Sequence, residues 1–93
     1  MITSKERAQL RAMANPIDTI GQVGKDGVTD AVVESMNLAL TARQLVKYRV
    51  LENSMLTARE AANELADRCK ADVVQVIGTR FVLYKADPEK PII

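Results

Sequence analysis

Two apolar segments near the end of the chain most restrict the fold. Residues 73–77 and 81–84 are rich in β-branched and aromatic side chains, and Gly78 and Thr79 between them suit a tight turn. This pattern predicts a β-hairpin, whose two strands are necessarily antiparallel. The other elements of the chain therefore have to be arranged around a sheet.

Three other segments have the spacing of helices. Thr3 and Thr57 each stand three residues before a glutamate, which is the spacing of a capping box. They predict one helix over residues 3–15 and another that begins at residue 57. Thr29 is a good cap residue and is followed by apolar residues at helical spacing, so it predicts a further helix.

Two more segments predict strands. Residues 45–51 alternate apolar side chains with Lys47 and Arg49, which is typical of a strand with one buried and one wetter face. Residues 19–23 are a weaker candidate because Gly21 interrupts them.

The order of these elements predicts the α/β class, with a single domain of the order α-β-α-β-α-β-β over residues 1–93. Two strand-helix-strand connections favour parallel pairings, and the final hairpin is antiparallel. We therefore expect a four-stranded mixed sheet with packed helices, whose strand order the sequence leaves open. The core is expected to span about residues 3–85, and residues 86–93, with two prolines, are expected to form a tail.

Length and composition exclude several classes of protein. With 93 residues the chain suffices for one small core and is too short for two domains. No apolar run approaches the roughly 18 residues of a membrane-spanning helix, and the charged first residues lack the apolar stretch of a signal peptide. We therefore expect a cytoplasmic protein without a membrane partner.

Residues that carry most enzyme chemistry are scarce. The chain has no histidine and one cysteine, Cys69, whose helical spacing from apolar neighbours indicates a core position. Two pairs of acids, Asp30 with Glu34 and Glu60 with Glu64, stand at helical spacing on polar faces, where solvated surface is the simpler interpretation. We expect a protein that is not an enzyme and that uses no cofactor, metal ion or small-molecule substrate.

The segment Gly24-Lys25-Asp26-Gly27 lies between a predicted strand and a predicted helix. Its glycines allow a sharp turn and a close approach to another molecule. The unpaired N–H groups that open the next helix suit an anion, and Lys25 adds a mobile cation. The segment does not match a nucleotide-binding P-loop, because Asp26 stands where that loop needs a hydroxyl. The pattern favours binding of a sugar-phosphate backbone.

Charge and aromatic content narrow the choice of nucleic-acid partner. Thirteen Lys and Arg residues against twelve Asp and Glu residues give a net charge of +1, which argues against a strongly basic nonspecific DNA binder but allows a local basic patch. Lys5, Arg7 and Arg11 on the first helix can share one basic side, although a solvated helix face is the other interpretation. Aromatic residues make up 3% of the chain, which argues against stacking on several bases.

Four segments together resemble a known family. The early basic helix, residues 20–29, residues 45–50 and residues 74–85 are similar in order and content to a YhbY-type CRM domain (chloroplast RNA splicing and ribosome maturation). The resemblance implies an RNA-binding fold similar to the C-terminal domain of translation initiation factor 3. It also implies association with precursors of the large ribosomal subunit, as in stand-alone bacterial members. Plant relatives promote splicing of group II introns.

The resemblance also assigns site residues. The RNA-binding loop of the family falls on Gly24, Lys25, Asp26 and Gly27, the basic strand positions on Lys47 and Arg49, and the last hairpin turn on Gly78, Thr79 and Arg80. With the helix cations added, the predicted RNA-binding residues are Lys5, Arg7, Arg11, Gly24, Lys25, Asp26, Gly27, Lys47, Arg49 and Arg80.

The sequence is compatible with two functions. The first is an RNA-binding protein that acts on ribosomal RNA of large-subunit precursors. The second is a protein-interaction adaptor on ribosomal particles in which the GxxG turn is purely structural; the near-neutral charge and Asp26 beside the proposed phosphate favour this alternative. The RNA segment and the oligomeric state are left open.

Overall fold

The seven predicted elements are present in the predicted order. A computed structural model describes residues 2–93. The elements are α1 (Ser4–Ala14), β1 (Thr19–Val23), α2 (Asp30–Arg43), β2 (Leu45–Val50), α3 (Ala58–Cys69), β3 (Asp72–Ile77) and β4 (Arg80–Tyr84). The predicted α/β class and the four-stranded mixed sheet are confirmed.

Helices α1 and α3 begin with the predicted capping boxes. The Thr57 hydroxyl accepts a hydrogen bond from the Glu60 amide at 3.1 Å, and the Thr57 amide donates to the Glu60 carboxylate at 2.9 Å. Thr3 and Glu6 make the same reciprocal pair. Because each carboxylate accepts a backbone N–H, the pKa of both glutamates is lowered. Local hydrogen bonds thus fix where these helices start.

The strand order of the sheet is β1-β2-β4-β3. Strands β1 and β2 are parallel neighbours, and β4 is antiparallel to both β2 and β3. The expectation of parallel pairing therefore holds at the first strand-helix-strand connection. At the second connection it fails, because β4 folds back from β3 and occupies the place beside β2.

The two faces of the sheet are covered to different extents. Helices α2 and α3 pack on one face, over a core that includes Met36, Leu65 and Phe81. Cys69 belongs to this core as predicted, and burial raises the pKa of its thiol. Helix α1 packs on the opposite face through Leu10 and a smaller cluster of apolar residues. Part of this second face is left open beyond the end of α1.

Residues 86–93 form no helix or strand and contact the domain through Gln44. The Gln44 side chain donates to the Lys90 carbonyl at 2.9 Å and accepts from the Ile92 amide at 3.1 Å. Ile93 packs against the smaller apolar cluster. Gln44 has a positive φ of 65°, a backbone conformation that is uncommon for residues other than glycine. No sequence pattern predicted it. The end of the chain is therefore held against the domain.

Residues 2–93 lack two features that mark other classes of protein. Within residues 2–93, no helix is long and apolar enough to cross a bilayer. The same part of the chain contains no group of three or more acidic or cysteine side chains placed to hold a metal ion.

A close contact between Gly21 and Tyr48 joins β1 to β2. The Tyr48 ring lies so near Gly21 that a methyl group at this glycine would overlap the ring atoms. The ring is buried, and its hydroxyl forms a 2.5 Å hydrogen bond with Ser35 on α2. Gly21, which weakened the strand prediction, is thus the residue that lets Tyr48 connect the strands to the helix layer.

We expect Gly21→Ala to lower the free energy of unfolding by about 1 to 3 kcal/mol, because the added methyl group overpacks the core against Tyr48. Chemical denaturation followed by circular dichroism measures the change. Gly24→Ala is the matched control, since its methyl group would lie 3.7 Å from the nearest atom, on Leu51. Equal stability of the two variants would contradict the packing role of Gly21.

The capping boxes predict a pH dependence. The pKa of Glu60 in the folded chain lies below its unfolded value, so the unfolded state binds more protons in acid. This contribution to stability is complete above the ordinary glutamate pKa of about 4.3 and is lost as the pH falls through the lowered value. Glu60→Gln keeps an acceptor that does not titrate. Thermal unfolding between about pH 6 and pH 3 should therefore show a shallower decline for this variant than for Asp67→Asn, which lies outside the box.

Candidate nucleic-acid interface

The GxxG loop (residues 24–27) forms a tight turn after β1. The Gly27 amide donates to the Gly24 carbonyl at 3.0 Å. Gly27 has a φ of +71°, in the left-handed region that favours glycine, whereas Gly24 does not. Only the second glycine is therefore needed for the turn itself, and the first is free to serve close approach. Lys25 and Asp26 are exposed at the tip.

Several backbone donors surround this loop. The amides of Lys25, Asp26 and Val28 donate to no acceptor within residues 2–93, and neither do those of Asp30 and Ala31 at the start of α2. Thr29 caps the helix by accepting from the amide three residues later. Unpaired N–H groups at the start of a helix favour an anion.

Arg68 on α3 holds the junction between the loop and α2. Its guanidinium donates to the Val28 carbonyl at 3.1 Å and to the Asp30 carboxylate at 2.7 Å. The i,i+4 pair of Arg68 with Glu64 on the same helix is longer, at 3.9 Å. The charge of Asp30 is thus paired with Arg68, whereas Asp26 forms no ion pair in the part of the chain that the structure describes.

Three of the predicted cations share one face of the sheet. Lys47, Arg49 and Arg80 lie on the face opposite α2 and α3, and we call this set the basic sheet face. Arg49 and Arg80 are directly opposite each other in the β2–β4 register. The Arg80 side chain also crosses β2, because its Nε donates to the Thr19 hydroxyl on β1 at 3.3 Å.

The basic sheet face has no internal counter-charge. No ion pair within residues 2–93 involves Lys47, Arg49 or Arg80. Like charges directly opposite each other across a pair of strands are destabilising. An anion that bridged these side chains would remove the repulsion, so the arrangement is suited to binding phosphate.

The loop and the basic sheet face meet at one end of the sheet. The Leu51 amide donates to the Val23 carbonyl at 2.9 Å, and the Val50 amide donates to Thr79 in the last hairpin turn at 2.7 Å. The ends of β1 and β2 and the start of β4 are therefore adjacent. Lys25 follows β1 at this end, where Arg49 and Arg80 also lie.

The structure does not bring the first cations of α1 to this end. The Arg7 side chain donates to the carbonyl of Val73 at 3.3 Å, at the beginning of β3 and therefore at the opposite end of the sheet. Lys5 lies at the start of the same helix, and Arg11 is exposed one turn further along. Arg7 and Lys5 are thus separated from the loop because burial of Leu10 fixes how α1 lies on the sheet.

Sequence reasoning missed Arg68. This residue contacts positions 38 and 40 residues earlier, and no local pattern indicates such a contact. Its i,i+4 spacing from Glu64 pointed instead to a pair within the helix.

Comparison with known proteins gives consistent results. The profile of the CRS1 / YhbY (CRM) domain matches residues 2–85. The chain is 38% identical over 89 residues to the probable RNA-binding protein YqeI of Bacillus subtilis, covering 96% of this chain and 93% of that protein. It is 33% identical over 86 residues to the probable RNA-binding protein MJ0652 of Methanocaldococcus jannaschii, covering 90% and 63% respectively.

A solved structure shares the fold. The solution structure of SAV1595 from Staphylococcus aureus, a hypothetical protein described as a candidate RNA binding protein, matches with a TM-score of 0.81 and 34% identity. The match covers 97% of this chain and 95% of that one. The resemblance stated from the sequence is therefore confirmed, while the assignment of individual RNA-binding residues stays a prediction.

We expect Arg68→Ala to speed amide hydrogen exchange at Gly27, Thr29 and Val32, whose amides are hydrogen-bonded in the loop and the helix cap, because the loop loses the donor to Val28 and the partner of Asp30. The free energy of unfolding should change by less than about 1 kcal/mol, since the ion pair is exposed. Exchange followed by NMR measures both. Arg59→Ala, on the same helix and without a side-chain partner within residues 2–93, is the control. Unchanged exchange in the loop would show that Arg68 does not hold it.

Proposed function

This chain belongs to the CRS1/YhbY (CRM) domain family, and we propose that it binds RNA through the GxxG loop and the basic sheet face. We infer further that the RNA is ribosomal RNA in a precursor of the large subunit, since the family resemblance implies such an association for stand-alone bacterial members. The names of the relatives support the first part of this proposal, and the family resemblance alone supports the second.

One observation carries the proposal. Three cations without acidic partners lie on one sheet face, next to a loop whose amides are open. The protein has a net charge of only +1, so this concentration of positive charge is local and not a general property of the surface. Phosphate contacts of this kind supply affinity and position the protein without reading sequence.

The residues of the loop and of the basic sheet face have different roles in binding RNA. Gly24 lets the RNA backbone approach the loop closely because it carries no side chain. Its φ is not positive, so the turn itself does not require a glycine at this position. Lys25 supplies a mobile charge at the tip, while Arg49 and Arg80 offer planar guanidinium groups that can bind a phosphate through two hydrogen bonds. Asp26 opposes binding, since its carboxylate is exposed and has no ion pair within the described chain.

We expect affinity for single-stranded RNA to fall steeply with salt. If Lys25, Lys47, Arg49 and Arg80 each neutralise one phosphate, log K against log salt has a slope of about −3, at ~0.7 for each contact. Raising salt from about 50 mM to about 200 mM then weakens binding on the order of 50-fold. Fluorescence anisotropy at several salt concentrations measures this slope. A slope near zero would overturn the electrostatic proposal.

Two substitutions that remove opposite charges from the loop tip test the role of the loop. Lys25→Ala should weaken binding by a similar factor for all RNA sequences and make the slope shallower by about 0.7. Asp26→Asn should strengthen binding, because it removes a negative charge from beside the phosphate. Lys70→Ala, on an exposed residue at the end of α3, is the charge-matched control. Equal affinity of Lys25→Ala and Lys70→Ala would rule out the loop.

Co-sedimentation tests the inferred particle. Association with large-subunit precursors should be lost after ribonuclease treatment and should weaken in the double variant Arg49→Ala with Arg80→Ala. Association that survives both changes would favour the adaptor function instead.

A further inference from the structure

The face of the sheet that carries α1 is covered over only half its length. The apolar side chains of α1 pack on Leu45, Val74 and Tyr84, toward the start of β2 and β3. Helix α1 ends at Ala14, and Ile17 after it still packs against this cluster, whereas Arg49, Ile77 and Arg80, nearer the GxxG loop, are exposed. The half of this face that lies nearer the GxxG loop is therefore open, and we call it the open half-face.

Register shifts in β3 and β1 each leave one extra residue in the strand, as in a β-bulge. In β3 the register shifts between Val73 and Gln75, so that Val74 is buried under α1 while Gln75 also reaches this face. In β1 a similar shift lies between Thr19 and Gly21. Bulges of this kind redirect side chains, and they often occur beside functional sites.

A recess lies between α1 and β3 on this half-face. Its volume is about 220 Å³. It is lined by Asn15, Lys47, Gln75, Ile77, Arg80, Phe81 and Val82. The apolar members include Ile77, which is 62% exposed and therefore leaves an apolar side chain in contact with solvent. The polar members are amides and cations, and none of them is acidic.

We propose that this recess receives one unstacked base of a single-stranded RNA whose phosphates lie on the basic sheet face; the inference rests on the proposed function. The side-chain amides of Asn15 and Gln75 offer both donors and acceptors, which is what the edge of a base requires. Arg80 also lines the recess, and its guanidinium, which donates to the Thr19 hydroxyl on β1, is available to the phosphate of the same nucleotide.

Single-stranded RNA is favoured over a duplex by the geometry of the site. Bases in an A-form helix are stacked, and the deep, narrow major groove hides their edges from side chains. A recess that receives a base can therefore be filled only by a nucleotide that has left the stack. The protein would still recognise backbone mainly, with base recognition added at this one position.

The lining of the recess fits RNA better than an acidic peptide, because it includes amides and an apolar side chain as well as cations. A peptide carboxylate would use Lys47 and Arg80 but would leave the amides and the exposed Ile77 without complementary groups. A nucleotide supplies a phosphate for the cations, a flat apolar surface for Ile77 and polar edges for the amides.

The test compares one labelled RNA of about twelve nucleotides as a single strand and as a duplex, by fluorescence anisotropy at fixed salt. We expect the single strand to bind at least tenfold more tightly. Gln75→Ala and Asn15→Ala should each weaken single-strand binding about three- to tenfold without changing the salt slope, because neither residue is charged. Asn63→Ala, which removes an exposed amide on α3 away from the recess, is the control.

The outcomes separate this inference from the proposed function. If duplex and single strand bind equally, or if Gln75→Ala and Asn15→Ala bind like Asn63→Ala, the recess does not receive a base, although the protein binds RNA. If neither RNA binds, the proposed function itself is wrong. If polyglutamate displaces the single strand as effectively as unlabelled RNA does, the site recognises charge alone and the inference is overturned.

Discussion

Strand β2 lies in the interior of the sheet, and its side chains alternate between two environments. Val46, Tyr48 and Val50 point into the core under α2 and α3, while Lys47 and Arg49 point to the opposite face. Because the period of a strand is two residues, a slip of one position would bury the cations and expose the core. The packing that stabilises the domain therefore also fixes where its positive charge is presented. Gly21 supports this arrangement, since it gives the Tyr48 ring the room it needs.

Features set by local interactions could be read from the sequence. The capping boxes at Thr3 and Thr57 involve partners three residues away, and the turn at Gly78 joins adjacent strands, so short patterns were sufficient to place them. The alternation of residues 45–51 was sufficient to predict that Lys47 and Arg49 share a face. Two of the three residues of the basic sheet face were thus predictable together as a physical pattern, and the family resemblance added Arg80.

Features set by contacts between distant residues could not be read in this way. Strand β4 lies between β2 and β3 because it pairs with both of them. Pairing with β2 joins residues that are far apart in the chain, so no local sequence pattern predicts it. Arg68 contacts Asp30 from another helix, and Gln44 holds the end of the chain with a side chain that no motif marks. The cations of α1 show the same limit: their spacing placed them on one helix, but the way α1 packs on the sheet determined that Arg7 lies far from the loop.

The bulges in β1 and β3 have a consequence beyond shaping one surface. These two strands are the edges of the sheet, and an edge normally exposes a regular row of amides and carbonyls that another chain can pair with. A bulge interrupts that row and twists the edge. Each edge of the sheet is therefore a poor template for pairing with a strand of another molecule. This irregularity disfavours aggregation of a small protein whose sheet is partly uncovered.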